Sequence, residues 1–149
     1  MDTKQKFARN QWLYLFGSTN VYTLNSLWTK WGSETDHKWL RRPETGAVMV
    51  QGKMGGSGAR FNLGEMTVTR ATVQLPGGWT GFGYCAGRDP RKAELIALLD
   101  ATLQRDPSLA ERVLPPLAAA LEQARTTQGR KAAATKVDFF TLVRGEDPR

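Results

Sequence analysis

Near the N-terminus apolar residues recur at spacings of three and four. Ala8, Trp12, Leu15 and Phe16 share one face of a helix that should stop by Gly17. A second helix, capped from within Ser18 to Asn20, carries Val21, Leu24, Trp28 and Trp31 on one stripe. Gly32 stands where a left-handed residue would end it. The two read as an antiparallel pair. From about Asp36 the period shortens to that of strands. Lys38 to Arg42 forms a short strand, Pro43 to Gly46 turns, and Ala47 to Lys53 makes a second strand with Val48 and Val50 on one side. Beyond a glycine-rich loop, Glu65 to Leu75 is rich in Thr and Val. Its apolar side switches from Met66 and Val68 to Ala71, Val73 and Leu75, which requires a bulge or cover on both faces. Pro76-Gly77-Gly78 turns, and Trp79 to Ala86 follows with Gly81 and Gly83 on one face, a sign that something packs closely above it.

At Gly87-Arg88-Asp89-Pro90 the pattern becomes helical again, with Asp89 as N-cap and Pro90 in the first helical position. Leu95, Leu98, Leu99 and Leu103 form a stripe that should lie against the sheet. Asp106-Pro107 starts a further short helix that Pro115-Pro116 should interrupt. An alanine-rich helical segment from about Leu117 has too little bulk to bury and should break at Gly129. Lys136 to Arg144 is extended in character. The expected fold is therefore α+β, a mainly antiparallel sheet of about four to five strands with N-terminal and C-terminal helices packed on it. One domain is expected over 1–149: helical over 1–32, sheet over 36–86, helical over 89–136, and an extended tail over 137–149.

Composition narrows the chemistry. The 21 Lys and Arg against 14 Asp and Glu give a net charge of +7, which favours an anionic partner without choosing among nucleic acid, phosphate and an acidic protein surface. The start of the chain lacks a signal peptide's apolar core and no stretch is apolar enough to span a membrane, so the expectation is a cytoplasmic protein with no membrane partner. Trp12, Trp28, Trp31 and Trp39 crowd the first quarter of the chain, either as core packing or as anchors at a protein interface.

Gly55, Gly56, Ser57 and Gly58 carry the densest run of glycine, followed by Arg60. Their successive N–H groups, with the Arg60 fork, would suit a phosphate; a tight structural turn or a subunit contact would need the same residues. The run matches neither the P-loop nor the dinucleotide-binding pattern. Arg88, before a helix N-terminus, pairs with an anion or a carboxylate, and Arg70, in a strand, is a solvated edge residue or an interface ion pair. Arg144 beside Gly145 is a third arginine of this kind. Candidate catalysts are few. His37 is the only histidine and Cys85 the only cysteine, and Glu44, Glu65, Asp89, Glu94 and Asp138 show no acid–base spacing. No catalytic, cofactor-binding or metal-ligating residue is assigned, and no cofactor is expected. The alternative function is a basic nucleic-acid-binding protein, resting on Arg125, Arg130, Lys131 and Lys136 along the alanine-rich segment, with no recognisable module to support it.

Taken together, Arg42 to Gly46 with Val48 to Lys53, Met54-Gly55-Gly56-Ser57-Gly58 with Arg60-Phe61, Thr69-Arg70-Ala71, Gly87-Arg88-Asp89, and Val137-Asp138-Phe139-Phe140-Thr141 with Val143-Arg144-Gly145 resemble the G subunit of bacterial carbon-phosphorus lyase. The resemblance covers Arg41 to Leu103 and the C-terminus; in the first forty residues Arg9 and Trp12 carry it. It implies a component of a phosphonate-degrading complex. Its G, H and I subunits, with an ATPase-like L component, transfer the ribose triphosphate of ATP to methylphosphonate with release of adenine. The implied partners are the H, I and J subunits, most directly I, in a hetero-oligomer with two copies of each core subunit and no nucleic acid; the ATPase-like K and L components are further candidate partners. The resemblance places the iron-sulfur cluster and radical step on J, which agrees with a chain holding one cysteine. It implies an accessory role for this chain, with the seven residues Gly55, Gly56, Ser57, Gly58, Arg60, Arg70 and Arg88 as phosphate or subunit contacts.

Overall fold

A computed structural model of the chain describes residues 7–32 and 36–136. Its centre is a helix, α3 (Pro90–Arg105), buried on every side from Leu95 to Leu103. Around it stand α1 (Arg9–Ser18), α2 (Val21–Trp31), α4 (Ser108–Ala134) and a three-stranded antiparallel sheet of β1 (Lys38–Lys53), β2 (Arg60–Gln74) and β3 (Thr80–Ala86), in the order β1-β2-β3. The fold class is α+β, with fewer strands than the pattern suggests.

Within the described residues the difference is a merger of two expected strands. Pro43 to Gly46 does not turn: Glu44 and Thr45 stand opposite Arg70 and Thr69, and register shifts on either side of Arg41 absorb the proline as an irregularity in one long β1. Pro is tolerated there because β1 is an edge strand. β2 starts at Arg60, earlier than its Thr- and Val-rich stretch indicates.

The glycines of β3 do what their spacing implies. A Cβ on Gly81 would stand 1.9 Å from the Ala97 carbonyl oxygen, and one on Gly83 1.8 Å from that of Ala93. The helix therefore lies on β3 backbone to backbone. The face it uses is Ala93, Ala97 and Ala101, one turn apart; the leucine stripe is part of the wider core formed with Trp12, Phe16, Leu24, Val73 and Leu114. The start of α3 is fixed as expected, the Asp89 carboxylate accepting from the Lys92 N–H at 3.0 Å. Asn20 caps α2 in the same way through the Thr23 N–H at 2.9 Å.

Three local expectations fail. Gly32 closes α2 in an extended conformation (φ −70°, ψ 143°), not a left-handed one; a Cβ would lie 2.5 Å from the Trp28 ring, so sterics rather than φ select glycine. α4 continues through Pro115 and Pro116. Both prolines are exposed, so the carbonyls they leave without N–H partners can be hydrated. The helix also passes Gly129 without a break. The extended tail, Asp138 and Arg144 lie outside the described residues. Of the tryptophans, Trp12 is core, while Trp28, Trp31 and Trp39 are half-buried against it.

Candidate functional site

The glycine-rich loop closes the far end of the β1–β2 hairpin. Met54–Gly56 makes one tight turn in which Gly55 (φ 61°) and Gly56 (φ 77°) are left-handed, as a glycine accepts without strain. The Gly58 N–H donates to the Met54 carbonyl at 2.7 Å, and a Cβ on Gly58 would stand 2.2 Å from that oxygen, so the loop's own closure demands this glycine. A Cβ on Gly55 or Gly56 would meet nothing within 4 Å. Any close approach to those two comes from outside the chain.

The hairpin leading to this loop is the most unusual surface of the molecule. β3 pairs with β2 only from Val68 to Gln74, whereas β1 and β2 pair on to Lys53 and Arg60. Residues 60–67 thus run roughly 25 Å beyond the third strand. This two-stranded arm carries Phe61, Leu63 and Met66 on the face of Val48 and Gly52, each 42–63% exposed, with Met49 exposed on the other face. An isolated pair of strands is marginal in water, and clustered exposed apolar side chains of this kind mark an interaction surface. The arm continues into the sheet face opposite α3, where Phe82 and Tyr84 are also half-exposed. The change of apolar side along β2 is the sequence signal for this arrangement: from Thr69 onward the odd positions serve the core, whereas Met66 and Val68 belong to the opposite face.

The expected arginines do not converge. Arg60 stands at the arm's tip opposite Lys53, and Arg70 sits ten residues back along β2, a separation of roughly 30 Å in an extended strand. Arg70 Nε donates to Glu44 Oε1 at 2.7 Å, and Arg41 donates to the same oxygen. Those bonds, from Arg41 first and then Arg70, hold the Glu44 carboxyl below the usual range. Beside them lies a shallow depression of about 310 Å³ bounded by Glu44, Gly46, Val48, Val68, Arg70 and Tyr84. Arg88 is exposed at the end of β3 and makes no ion pair with a described residue. Its turn is tied down by Thr69, whose hydroxyl donates to the Gly87 carbonyl at 2.6 Å and accepts from the Asp89 N–H at 3.1 Å.

Cys85 is buried and burial pushes its thiol up, away from the reactive thiolate. His37 rests edge-on against Trp39, ring centres 5.2 Å apart. Among the described residues no group of His, Cys, Asp and Glu is placed to hold a metal ion, and no helix is long and apolar enough to cross a membrane.

One ionic cluster escapes the sequence patterns. Asp100, fully buried in α3, accepts four bonds: from Arg9 Nε at 3.1 Å and Trp12 Nε1 at 2.8 Å on Oδ1, and from Arg9 Nη2 at 2.7 Å and the Phe82 N–H at 2.9 Å on Oδ2. The Arg9 guanidinium also lies over the Phe82 ring, 5.1 Å from its centre. This bond to Asp100 raises the Arg9 pKa above its ordinary value despite partial burial. The signal for the cluster is an aspartate on the stripe of Ala93, Ile96, Ala97 and Leu103.

A family model described as "Phosphonate metabolism protein PhnG" matches residues 7–145. It takes in the tryptophan-rich stretch and α4 as well as the sheet. A relative from Rhizobium meliloti (strain 1021), named alpha-D-ribose 1-methylphosphonate 5-triphosphate synthase subunit PhnG, is 41% identical over 141 residues, covering 93% of this chain and 90% of its own length.

Proposed function

The chain belongs to the phosphonate metabolism protein PhnG family, and from that premise we propose that it is an accessory, non-catalytic subunit of a synthase of the kind its Rhizobium relative is named for. The reaction is transfer of the ribose triphosphate of ATP to methylphosphonate: the bond from the sugar's anomeric carbon to adenine breaks, and a bond from that carbon to a phosphonate oxygen forms. The chain works in the cytoplasm beside the H, I and J subunits, two copies of each, with its main contact on I and with the ATPase-like K and L components as further partners. Gly55, Gly56 and Arg60 are subunit contacts in this reading, and Arg70 and Arg88 border the contact surface.

A single observation supports this most strongly: the apolar β1–β2 arm, with Phe61, Leu63 and Met66 exposed and no cover within the described chain. These side chains are 42–63% exposed, so a partner subunit that covers them recovers about half of the roughly 1.5–3 kcal/mol that full burial of each is worth. The test is co-expression with the companion subunits. Phe61→Asp and Leu63→Asp should leave the isolated chain's Tm within about 2 °C, because both sites are exposed, yet abolish co-purification and synthase activity together. Assembly of the double variant at the wild-type yield would refute the reading.

A further inference from the structure

Part of the sheet's edge is closed against another strand. On the outer side of β3 the Phe82 N–H is taken by the Asp100 carboxylate, and the Thr80 carbonyl accepts from the Gln104 amide at 2.7 Å. The outer edge of β1 is broken at its base by Pro43 and two register shifts, devices that discourage strand pairing. Another segment is the side of β2 that β3 leaves bare. There the Gly87 N–H makes a last bond to the Thr67 carbonyl at 2.8 Å. By the alternation of an antiparallel ladder, the N–H and C=O of Glu65 face the same open side. Residues 60–67 contain neither Pro nor Lys; the one irregularity is a bulge at Leu63, where the register steps from Val50↔Gly64 to Gln51↔Asn62, and it leaves the edge from Glu65 to Thr67 regular.

Charge at the tip says what kind of strand fits. Lys53 and Arg60 are direct cross-strand partners, and like charges placed opposite one another weaken a ladder. Neither has an ion-pair partner among the described residues. We propose that an extended segment of a partner subunit adds to the bare β2 edge at residues 60–67, in line with β3, and sets a carboxylate between Lys53 and Arg60. This rests on the reading of the chain as a subunit and specifies how it docks. Main-chain bonds supply the attachment, and the carboxylate, bonded by the Arg60 fork, fixes the register.

Hydrogen–deuterium exchange on the free chain and on the co-purified complex tests it. Amides in 60–67 should slow at least tenfold on assembly. Lys53→Glu and Arg60→Glu should each weaken assembly at least tenfold, with Arg60→Lys restoring part of it. A complex that forms with exchange in 60–67 unchanged overturns strand addition and leaves the subunit reading standing. Failure of the wild-type chain to co-purify at all overturns both. If inorganic triphosphate binds the free chain, Arg60→Glu abolishes that binding, and assembly is unaffected, the tip is a small-anion site and the acidic strand is refuted.

Discussion

Replacing Asp100 by Asn tests whether one buried carboxylate ties α1, α3 and β3 together. The amide has the same shape but one acceptor oxygen where the carboxylate has two. With its nitrogen at the Oδ1 position it faces Arg9 Nε and Trp12 Nε1; with the nitrogen at Oδ2 it faces Arg9 Nη2 and the Phe82 N–H. Either way donor meets donor twice. Arg9 is 39% exposed and can rehydrate, so its loss counts for little. An orphaned indole or backbone N–H costs about 1–3 kcal/mol, and the retained bonds lose their charge assistance, for a total of about 2–4 kcal/mol. At about 2–4 °C per kcal/mol for a chain of this size, Tm should fall by roughly 4–16 °C. Urea unfolding followed by tryptophan fluorescence and far-UV circular dichroism reads it directly. Arg91→Met, which breaks the partly exposed pair with Glu94 and a bond to Asn25 Oδ1, is the control and should cost no more than about 1 kcal/mol. A loss below about 1 kcal/mol for Asp100→Asn, or one equal to the control, would refute the keystone role.

Gly83→Ala places a methyl 1.8 Å from the Ala93 carbonyl oxygen and should cost at least about 3 kcal/mol, while Gly46→Ala, with nothing within 4 Å of its Cβ, should be close to neutral in the same melt. Pro115→Ala removes an internal proline from the exposed side of α4 and should stabilise by about 1–3 kcal/mol, read as a higher urea midpoint. Because the Glu44 carboxyl titrates lower in the folded chain than unfolded, through Arg41 and then Arg70, its contribution is present above the unfolded value and lost as pH falls through the folded one. The Tm gap between wild type and Glu44→Gln should therefore shrink as pH drops below about 4.3; a gap that widens would show the opposite sign.

Much of the architecture was readable from local chemistry. Asp89 and the stretch Ser18 to Asn20 marked helix starts because a cap needs only a short side chain at the right place, and the structure selects Asn20 from that stretch. Gly81 and Gly83 announced a close neighbour because nothing else explains paired glycines on one strand face. Proline misled twice, at Pro43 and at Pro115-Pro116, since its cost depends on whether the missing N–H would have faced solvent, a tertiary fact. Asp100 was hidden for the same reason: its donors come from Arg9, Trp12 and Phe82, distant in sequence. The arm was half legible. The switch of apolar side along β2 asked for cover on both faces, but only the pairing of strands shows where β3 ends and the cover is missing.

That early end of β3 divides the molecule by durability. The three-stranded base is locked under α3, whereas the arm has its own ladder and no core, so it should open far more easily than the rest. A subunit left without its complex would then present the Gly55–Gly58 turn to proteases first, and a bound one would not. Limited proteolysis of the free and assembled chain would show this as a cut confined to the arm that assembly suppresses. If the arm is the contact proposed above, the segment that holds the complex together is also the one an unassembled copy loses first to cleavage.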